Sequence, residues 1–286
     1  MSTASTSIQQ QFKEQGYAIL PGAIPLDTID RVRAALETEV DAFARRLRDD
    51  GTIENIHADK PFETRIYDLF ENCLDKAPHT FLLDTPNLPE LLEIYTNTDL
   101  LDVIETIIGP EIRLYPNYYI RPKMPRLARL DVSWHQDAQY TEDVNTEGDV
   151  ESLTTVNCWA GLVPVTAETG SMQFVPGSHT VGLLPHGHGP HWLETPEEVL
   201  NPIIAERGVV DVEVDPGDVV VFSNLLLHSG QPNVSDIVRW SLDFRYQVAT
   251  EPTLRPETGH LVRSRQDPGA CITPERWLEV GDRSSM

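Results

Sequence analysis

Positive charge is in short supply. The 286 residues include 22 Lys or Arg against 45 Asp or Glu, a formal net charge of −23. A surface of that sign repels phosphate backbones, so nucleic acid is excluded as a partner. Cysteine is scarce as well. Cys73, Cys158 and Cys271 are odd in number, far apart and in no CxxC or Cys/His spacing, which argues against a disulfide framework and for free thiols in a reducing compartment. No uninterrupted apolar run approaches the ~18 residues of a membrane span, and the first residues have neither a basic n-region nor an apolar h-region. The expectation is a cytoplasmic protein with no membrane partner. No internal repeat is visible, which leaves out propellers and solenoids.

What remains is enough for a core: 40% hydrophobic residues, with five Trp, eight Tyr and eight Phe. We read residues 1–286 as one domain. Residues 1–110 read as largely helical support, with apolar positions at helical spacing from Asp27 to about Arg48 and from Pro89 to Ile108. Asp27 is the expected N-cap of the first helix, and Gly109-Pro110 the stop of the second. From Arg113 the period changes to two. Short apolar runs separated by Pro-Gly and Gly-Gln-Pro-Asn turns continue to Val248, giving a β core over 111–250. Within it, 180–208 is rich in Gly, Pro and His and reads as a lid or surface excursion; 251–286 is a C-terminal extension. The fold class is mainly β with flanking helices, a closed or sandwiched β core buttressed by the N-terminal third.

Three features carry chemistry. His135-Gln136-Asp137 is a His-x-carboxylate pair, and on an extended backbone residues two apart project to one face. With one further imidazole such a pair makes the 2-His-1-carboxylate set that leaves positions open on Fe(II). His228, expected to end the strand Val219–Leu227, is the candidate for that imidazole; a lone histidine there is more often a hydrogen-bonded core residue, so combination has to decide. In the strand Ile237–Tyr246, Arg239, Ser241, Asp243 and Arg245 share one face while Val238, Trp240, Leu242, Phe244 and Tyr246 share the other. The polar face is either solvated or the lining of a barrel, with Arg239 offering a planar fork to a carboxylate.

Trp134-His135-Gln136-Asp137, Asn157-Cys158-Trp159-Ala160-Gly161-Leu162, Glu168-Thr169-Gly170-Ser171-Met172, Val175-Pro176-Gly177-Ser178-His179, and His228 followed by Pro232-Asn233 and Arg239 occur in that order. From about Gly16 to Tyr246 the chain resembles the phytanoyl-CoA dioxygenase family of Fe(II)/2-oxoglutarate-dependent oxygenases. The resemblance implies a double-stranded β-helix, or jelly roll, with His135, Asp137 and His228 on iron. It further implies Arg239 on the distal carboxylate of 2-oxoglutarate, with Ser241 beside it and Trp159 and Asn117 near the cosubstrate. O2 is the third reactant. The implied reaction is oxidation, foremost hydroxylation, of an unactivated C–H bond in a small organic molecule or natural-product intermediate, with release of succinate and CO2. Relatives also desaturate, epoxidise or form endoperoxides. Asp137 itself argues against a halogenase, where Gly or Ala stands at that position. A non-catalytic jelly-roll binder is the alternative from another class, marked by a broken triad or a missing arginine. Two departures stand out. Ser or Thr is common two residues after the distal His, where this chain has Gly230 with Ser229 one place earlier, and a frequent Lys-Pro upstream of HxD appears as Arg121-Pro122. His179 of the PGSH motif is expected to be structural.

Two constellations compete. His186, His188 and His191 could bind Zn²⁺, though no periodic backbone holds them. Arg121, Lys123, Arg126 and Arg129 gather just before HxD, either as a clasp for an anionic or carrier-bound substrate or as partners for the abundant acids. Tyr119 and Asn117, on the strand face of Arg121, are expected to line the lumen. The oligomeric state stays open.

Overall fold

The computed structural model describes residues 3–81, 87–144, 148–189 and 193–281. The chain begins with α1 (Thr3–Gln15), β1 (Tyr17–Leu20), α2 (Leu26–Asp49), α3 (Phe62–Leu69), α4 (Pro89–Tyr95) and α5 (Thr98–Ile108). The β region follows with β2 (Ile112–Leu114), β3 (Tyr119–Lys123), β4 (Val132–His135), α6 (Asp137–Val144), β5 (Thr155–Gly161) and β6 (Met172–Phe174). It continues through β7 (Gly187–His188), β8 (Leu193–Glu194), α7 (Glu197–Arg207), β9 (Val210–Val212), β10 (Val219–Ser223), β11 (His228–Gly230) and β12 (Arg239–Val248). β13 (His260–Arg263) and α8 (Pro274–Gly281) close it.

A seven-stranded sheet runs β1-β10-β5-β12-β2-β13, with β3 also paired to β12, and a four-stranded sheet runs β4-β11-β6-β9. β12 sits near the middle of the larger sheet because it is long enough to pair with β5 on one side and with β3 and then β2 on the other. Its two faces have different jobs. Trp240, Leu242, Phe244 and Tyr246 are fully buried against the helical layer; Trp240 stacks on Phe62 of α3 at 4.8 Å between ring centroids, and the Tyr246 hydroxyl donates to the Tyr95 carbonyl of α4 at 2.8 Å. Burying three or four large apolar side chains per strand, at roughly 1.5–3 kcal/mol each, welds helices to sheet on that side. The opposite face turns Arg239, Ser241, Asp243 and Arg245 toward the smaller sheet.

Several sequence expectations are corrected here. Asp27 is not the N-cap of α2: Pro25 precedes the helix and makes no side-chain cap, while Asp27 lies in the first turn and pairs with Arg31 at 2.8 Å. A carboxylate there still suits the positive end of the helix dipole. The segment 89–108 is two helices, because the Asn97 side chain accepts from the Leu100 backbone N–H at 2.9 Å and so starts a new helix. Gly109, at φ 86°, stops it as expected. Arg113–Arg121 divides into β2 and β3, separated by Tyr115–Tyr118. The segment 180–208 is not bare loop, since it carries the β7–β8 hairpin and α7; Pro202 inside that helix had hidden its pattern.

Replacing Asn97 by Ala should lower stability by about 1 kcal/mol, the ordinary worth of such a cap, whereas Asn97→Asp keeps an acceptor and should stay near wild type. Denaturant midpoints test this, and an unchanged midpoint for Asn97→Ala would show that the break between α4 and α5 is set elsewhere.

Candidate active site

The HxD turn straddles a change of secondary structure. His135 is the last residue of β4 and Asp137 the first of α6, so the side chains converge through a strand-to-helix corner and not along one extended strand as the spacing predicts. Gln136 makes that corner rigid. Fully buried, it donates from Nε2 to the carbonyls of Gly182 at 2.9 Å and Leu225 at 2.6 Å and accepts from the Leu184 N–H at 2.8 Å. His228 is likewise displaced from its expected place: it does not end the Val219–Leu227 run but opens β11, after the chain has crossed from the larger sheet to the smaller one. There it stands directly opposite His135 in the β4–β11 pairing.

The ligand atoms of His135, Asp137 and His228 all lie within 4.8 Å of one another, and among the described residues they form the one such grouping found. Each imidazole is oriented from behind. His135 Nδ1–H donates to the Ser133 carbonyl at 2.8 Å and His228 Nδ1–H to the Leu226 carbonyl at 2.9 Å. Since a carbonyl can only accept, the proton is on Nδ1 and both Nε2 lone pairs face Asp137 Oδ1, at 3.4 and 3.8 Å. Burial, with the neighbouring His135, pushes His228 down to about 3, which keeps it neutral. Burial alone would raise Asp137, but the Arg245 guanidinium, 2.6 Å from Oδ2, holds its carboxyl well below the usual range. Three electron-pair donors thus converge on one point, and a cation satisfies all three. Two imidazoles and a carboxylate on one side, with the other side open, suit non-haem Fe(II).

Arg239 faces the same lumen and is 7% exposed. Nη1 donates to Ser241 Oγ at 2.5 Å, the guanidinium lies over the Trp159 ring at 5.2 Å, and Nε is buried with no hydrogen-bond partner. Burial lowers it to about 10, so it remains charged at neutral pH. Among the described residues it makes no ion pair. Opposite it in the register stands Lys123, buried, 3.4 Å from Asp131, and lowered to about 8 by burial and by Arg239. Both line a cavity of about 750 Å³ that also contains the triad, Ser229 and Gly230.

Other expected residues divide. Asn117, Tyr119 and Arg121 line the cavity: Asn117 Oδ1 accepts from Arg245 at 3.0 Å, and Arg121 pairs with Asp243 at 2.7 Å while lying over Tyr119 at 4.5 Å. The basic cluster is dispersed. Arg126 is exposed, in the left-handed region at φ 52°, pairs with Asp236 and does not line the cavity; Arg129 donates to the carbonyls of Leu74 and Ala77. A shared stretch of sequence had suggested a shared surface, but the turn at 124–131 takes both away from the cavity, Arg126 to the surface and Arg129 onto the 74–77 segment. His186 and His188 join no metal-capable grouping among the described residues, and His191 lies outside them. His179 is structural as expected, donating to the Lys13 carbonyl at 3.2 Å and so tying its turn to α1.

Residues without an assigned role in the sequence reading also reach the lumen. Arg245 was visible on the polar face of β12 but had no partner to identify it. Asn157 stood in a family motif without a role assigned to it; it is 1% exposed, lines the cavity, and neither its amide N nor its O has a partner. His79 comes from a segment without periodicity. It accepts from Arg121 at 2.6 Å and is pushed down to about 3 by burial and then by Arg121, hence neutral.

A sequence profile of the phytanoyl-CoA dioxygenase (PhyH) family matches residues 12–241. A probable phytanoyl-CoA dioxygenase of Caenorhabditis elegans is 24% identical over 86% of this chain and 76% of its own. A 1-deoxypentalenic acid 11-beta-hydroxylase of Streptomyces exfoliatus is 24% identical over 85% of this chain and 81% of its own. The fold is like that of EctD from S. alaskensis in its crystal structure with 2-oxoglutarate and 5-hydroxyectoine, at a TM-score of 0.57 and 18% identity, covering 96% of this chain and 86% of that one. With the motifs in order, the triad assembled and the profile spanning most of the sequence, the chain belongs to the phytanoyl-CoA dioxygenase (PhyH) family and is a non-haem iron, 2-oxoglutarate-dependent dioxygenase.

Proposed function

We propose that the protein hydroxylates an unactivated C–H bond of a small organic molecule or natural-product intermediate, converting 2-oxoglutarate and O2 to succinate and CO2. The observation that carries this reading is the lumen itself, where a three-donor metal set and a charged, under-satisfied arginine face one cavity of about 750 Å³. We take the paired sheets to be a double-stranded β-helix carried by one domain, with 180–208 as its lid, acting in a reducing, cytoplasmic setting. Free Cys73, Cys158 and Cys271 and the absence, among the described residues, of a helix long and apolar enough to cross a membrane agree with that setting. Relatives named as hydroxylases support hydroxylation over the other outcomes of the family.

Iron bound by His135, Asp137 and His228 supplies the redox chemistry that activates O2 while 2-oxoglutarate is oxidised. The chain's own residues do the rest. Arg245 keeps Asp137 ionised and fixes its angle, and the Ser133 and Leu226 carbonyls hold both imidazoles with Nε2 forward. Arg239 would grip the distal carboxylate of 2-oxoglutarate, with Ser241 and Trp159 fixing its guanidinium. Lys123 adds a second positive charge at that end of the lumen, and its ammonium lies beside Gly230: a Cβ built there would be 3.4 Å from Nζ. That is the position where relatives often carry a hydroxyl. Asn157 contributes an amide whose donors and acceptor are waiting for a guest. The walls exclude water, so the reacting C–H bond is the one oriented above the metal.

The general test is a screen of small molecules for stimulated succinate release. Each of His135→Ala, Asp137→Ala and His228→Ala should lose iron and with it turnover; retained iron in any one of them, measured by elemental analysis, removes that residue from the set. Arg239→Ala should weaken 2-oxoglutarate binding by about 2–5 kcal/mol, the loss expected for a buried charge-assisted pair. An unaltered cosubstrate KM would place the carboxylate elsewhere. Asn157→Leu should stabilise the metal-free protein by about 1–3 kcal/mol, since an unpaired buried amide is removed. Destabilisation instead would show that the amide has partners in the free protein.

A further inference from the structure

Arg255 puts one more guanidinium into the cavity wall. It comes from the segment after β12, which the sequence marks only as a C-terminal extension, and it is held by Tyr115: Nε donates to the Tyr115 hydroxyl at 3.2 Å and the guanidinium lies 5.8 Å from the ring centroid. Neither contact neutralises it. The other cavity cations have anionic counterparts or a cosubstrate to hold: Arg245 pairs with Asp137, Arg121 with Asp243 and Lys123 with Asp131, while Arg239 awaits 2-oxoglutarate. Among the described residues Arg255 makes no ion pair, in a chain with more than twice as many acidic as basic side chains.

The segment that presents it is built for the purpose. The Tyr115 hydroxyl donates to the Thr253 carbonyl at 2.6 Å, and the Thr253 hydroxyl reaches the carbonyls of Arg255 at 3.1 Å and Glu257 at 2.9 Å. Between them Leu254 sits at φ 55°, a left-handed conformation that a branched residue adopts only when its surroundings impose it. A clamped, strained turn that ends on an unneutralised guanidinium in a cavity wall points to a ligand.

The register says which end of the lumen this is. Along β12, Arg239 is opposite Lys123, Ser241 opposite Arg121 and Asp243 opposite Tyr119; Arg245 then bonds Asn117 and, through its carbonyl, the Tyr115 N–H. At about 3.3 Å per residue the Arg239 and Arg245 backbones are roughly 20 Å apart along the strand, while the Arg239 side chain reaches back to Ser241 and so carries its guanidinium nearer the triad than its backbone. The triad is attached to Arg245 through Asp137, and Arg255, on Tyr115, lies at that end too. Arg239 and Arg255 therefore stand at opposite ends of the face.

We infer that Arg255 binds a carboxylate on the substrate, so that the enzyme acts on small carboxylic acids with an apolar body, held with the acid group at the Tyr115 end and a C–H bond over the metal. Placing the cosubstrate at the Arg239 end rests on the function proposed above. The body of such an acid would meet Leu130, Val132 and Phe222, which also line the cavity.

The test uses the full chain loaded with Fe(II) and 2-oxoglutarate without oxygen, a state first verified by its visible charge-transfer band. Straight-chain monocarboxylates from octanoate to hexadecanoate and the matching primary alcohols are then titrated by calorimetry. The acids should bind about tenfold or more tightly than the alcohols, and this preference should shrink as salt is raised. Arg255→Gln should abolish the preference and Arg255→Lys should retain part of it. Arg126→Gln, which removes an exposed cation outside the cavity, should leave it whole. Acids that bind no better than alcohols, acids that do not bind, or a preference that survives in Arg255→Gln would each overturn the assignment while the band keeps the oxygenase reading intact. Absence of the band would remove that reading, and this inference with it.

Discussion

The ion pair between Arg245 and Asp137 joins the two sheets at the cavity wall, where both side chains are largely buried, and the site depends on it. Arg245 belongs to β12 of the larger sheet; Asp137 follows β4 of the smaller one. Their 2.6 Å contact fixes one ligand carboxylate by a residue whose backbone lies in the middle of the fold. A buried ion pair is a poor stabiliser by itself, because both charges have lost their hydration. Here both hydrogens of Arg245 Nη1 are also taken up, by the carbonyl and side chain of Asn117 at 3.0 Å each, and Asp137 Oδ1 stays turned toward the two imidazoles. Without Arg245 the carboxylate would be buried beside two imidazoles with nothing to hold its charge, and protonation would be the cheaper state.

From that pair outward the lumen follows an electrostatic logic opposite to that of the surface. The exterior carries the excess acid of the chain, whereas the cavity wall brings together Arg121, Lys123, Arg239, Arg245 and Arg255 against Asp137 and Asp243. A cationic interior in an acidic protein focuses anions into the cleft and repels them elsewhere. It also makes the empty site costly, since Arg239 Nε, Asp243 Oδ1 and both polar atoms of the Asn157 amide are buried without partners. Those atoms are where the fold gives up stability for the sake of a guest.

The sequence made the reactive residues easier to recognise than the shape that assembles them. The candidates His135, Asp137, His228 and Arg239, which the fold brings to one lumen, could be named because each chemistry demands one residue type, and because β12 alternates so strictly that its polar face is visible in a single strand. Local geometry was less legible. The HxD pair suggested one extended strand, yet Asp137 begins a helix, since what places it is the buried Gln136 bonded to loops 46 and 89 residues away in sequence. The basic cluster misled for the converse reason, as four cations close in sequence were parted by a turn at positive φ. Arg255 was invisible, lying outside every periodic element and gaining its meaning only from Tyr115, 140 residues earlier.

The departures from the family pattern make physical sense together. Gly230, standing where relatives often have a hydroxyl, is not simply a lost contact, because the space a side chain would enter there is bounded by the Lys123 ammonium. Lys123 in turn is directly across from Arg239 and lowered to about 8 by burial and then by that charge. A serine Cβ at position 230 would touch the ammonium at 3.4 Å, and Lys123 has in Asp131, at 3.4 Å, an anionic partner of its own. A dicarboxylate between the two cations relieves their repulsion, so binding at that end strengthens as the charges are brought closer by the fold. The glycine and the lysine are thus neighbours at one end of the lumen, where the charge stands beside the position at which relatives often carry a hydroxyl.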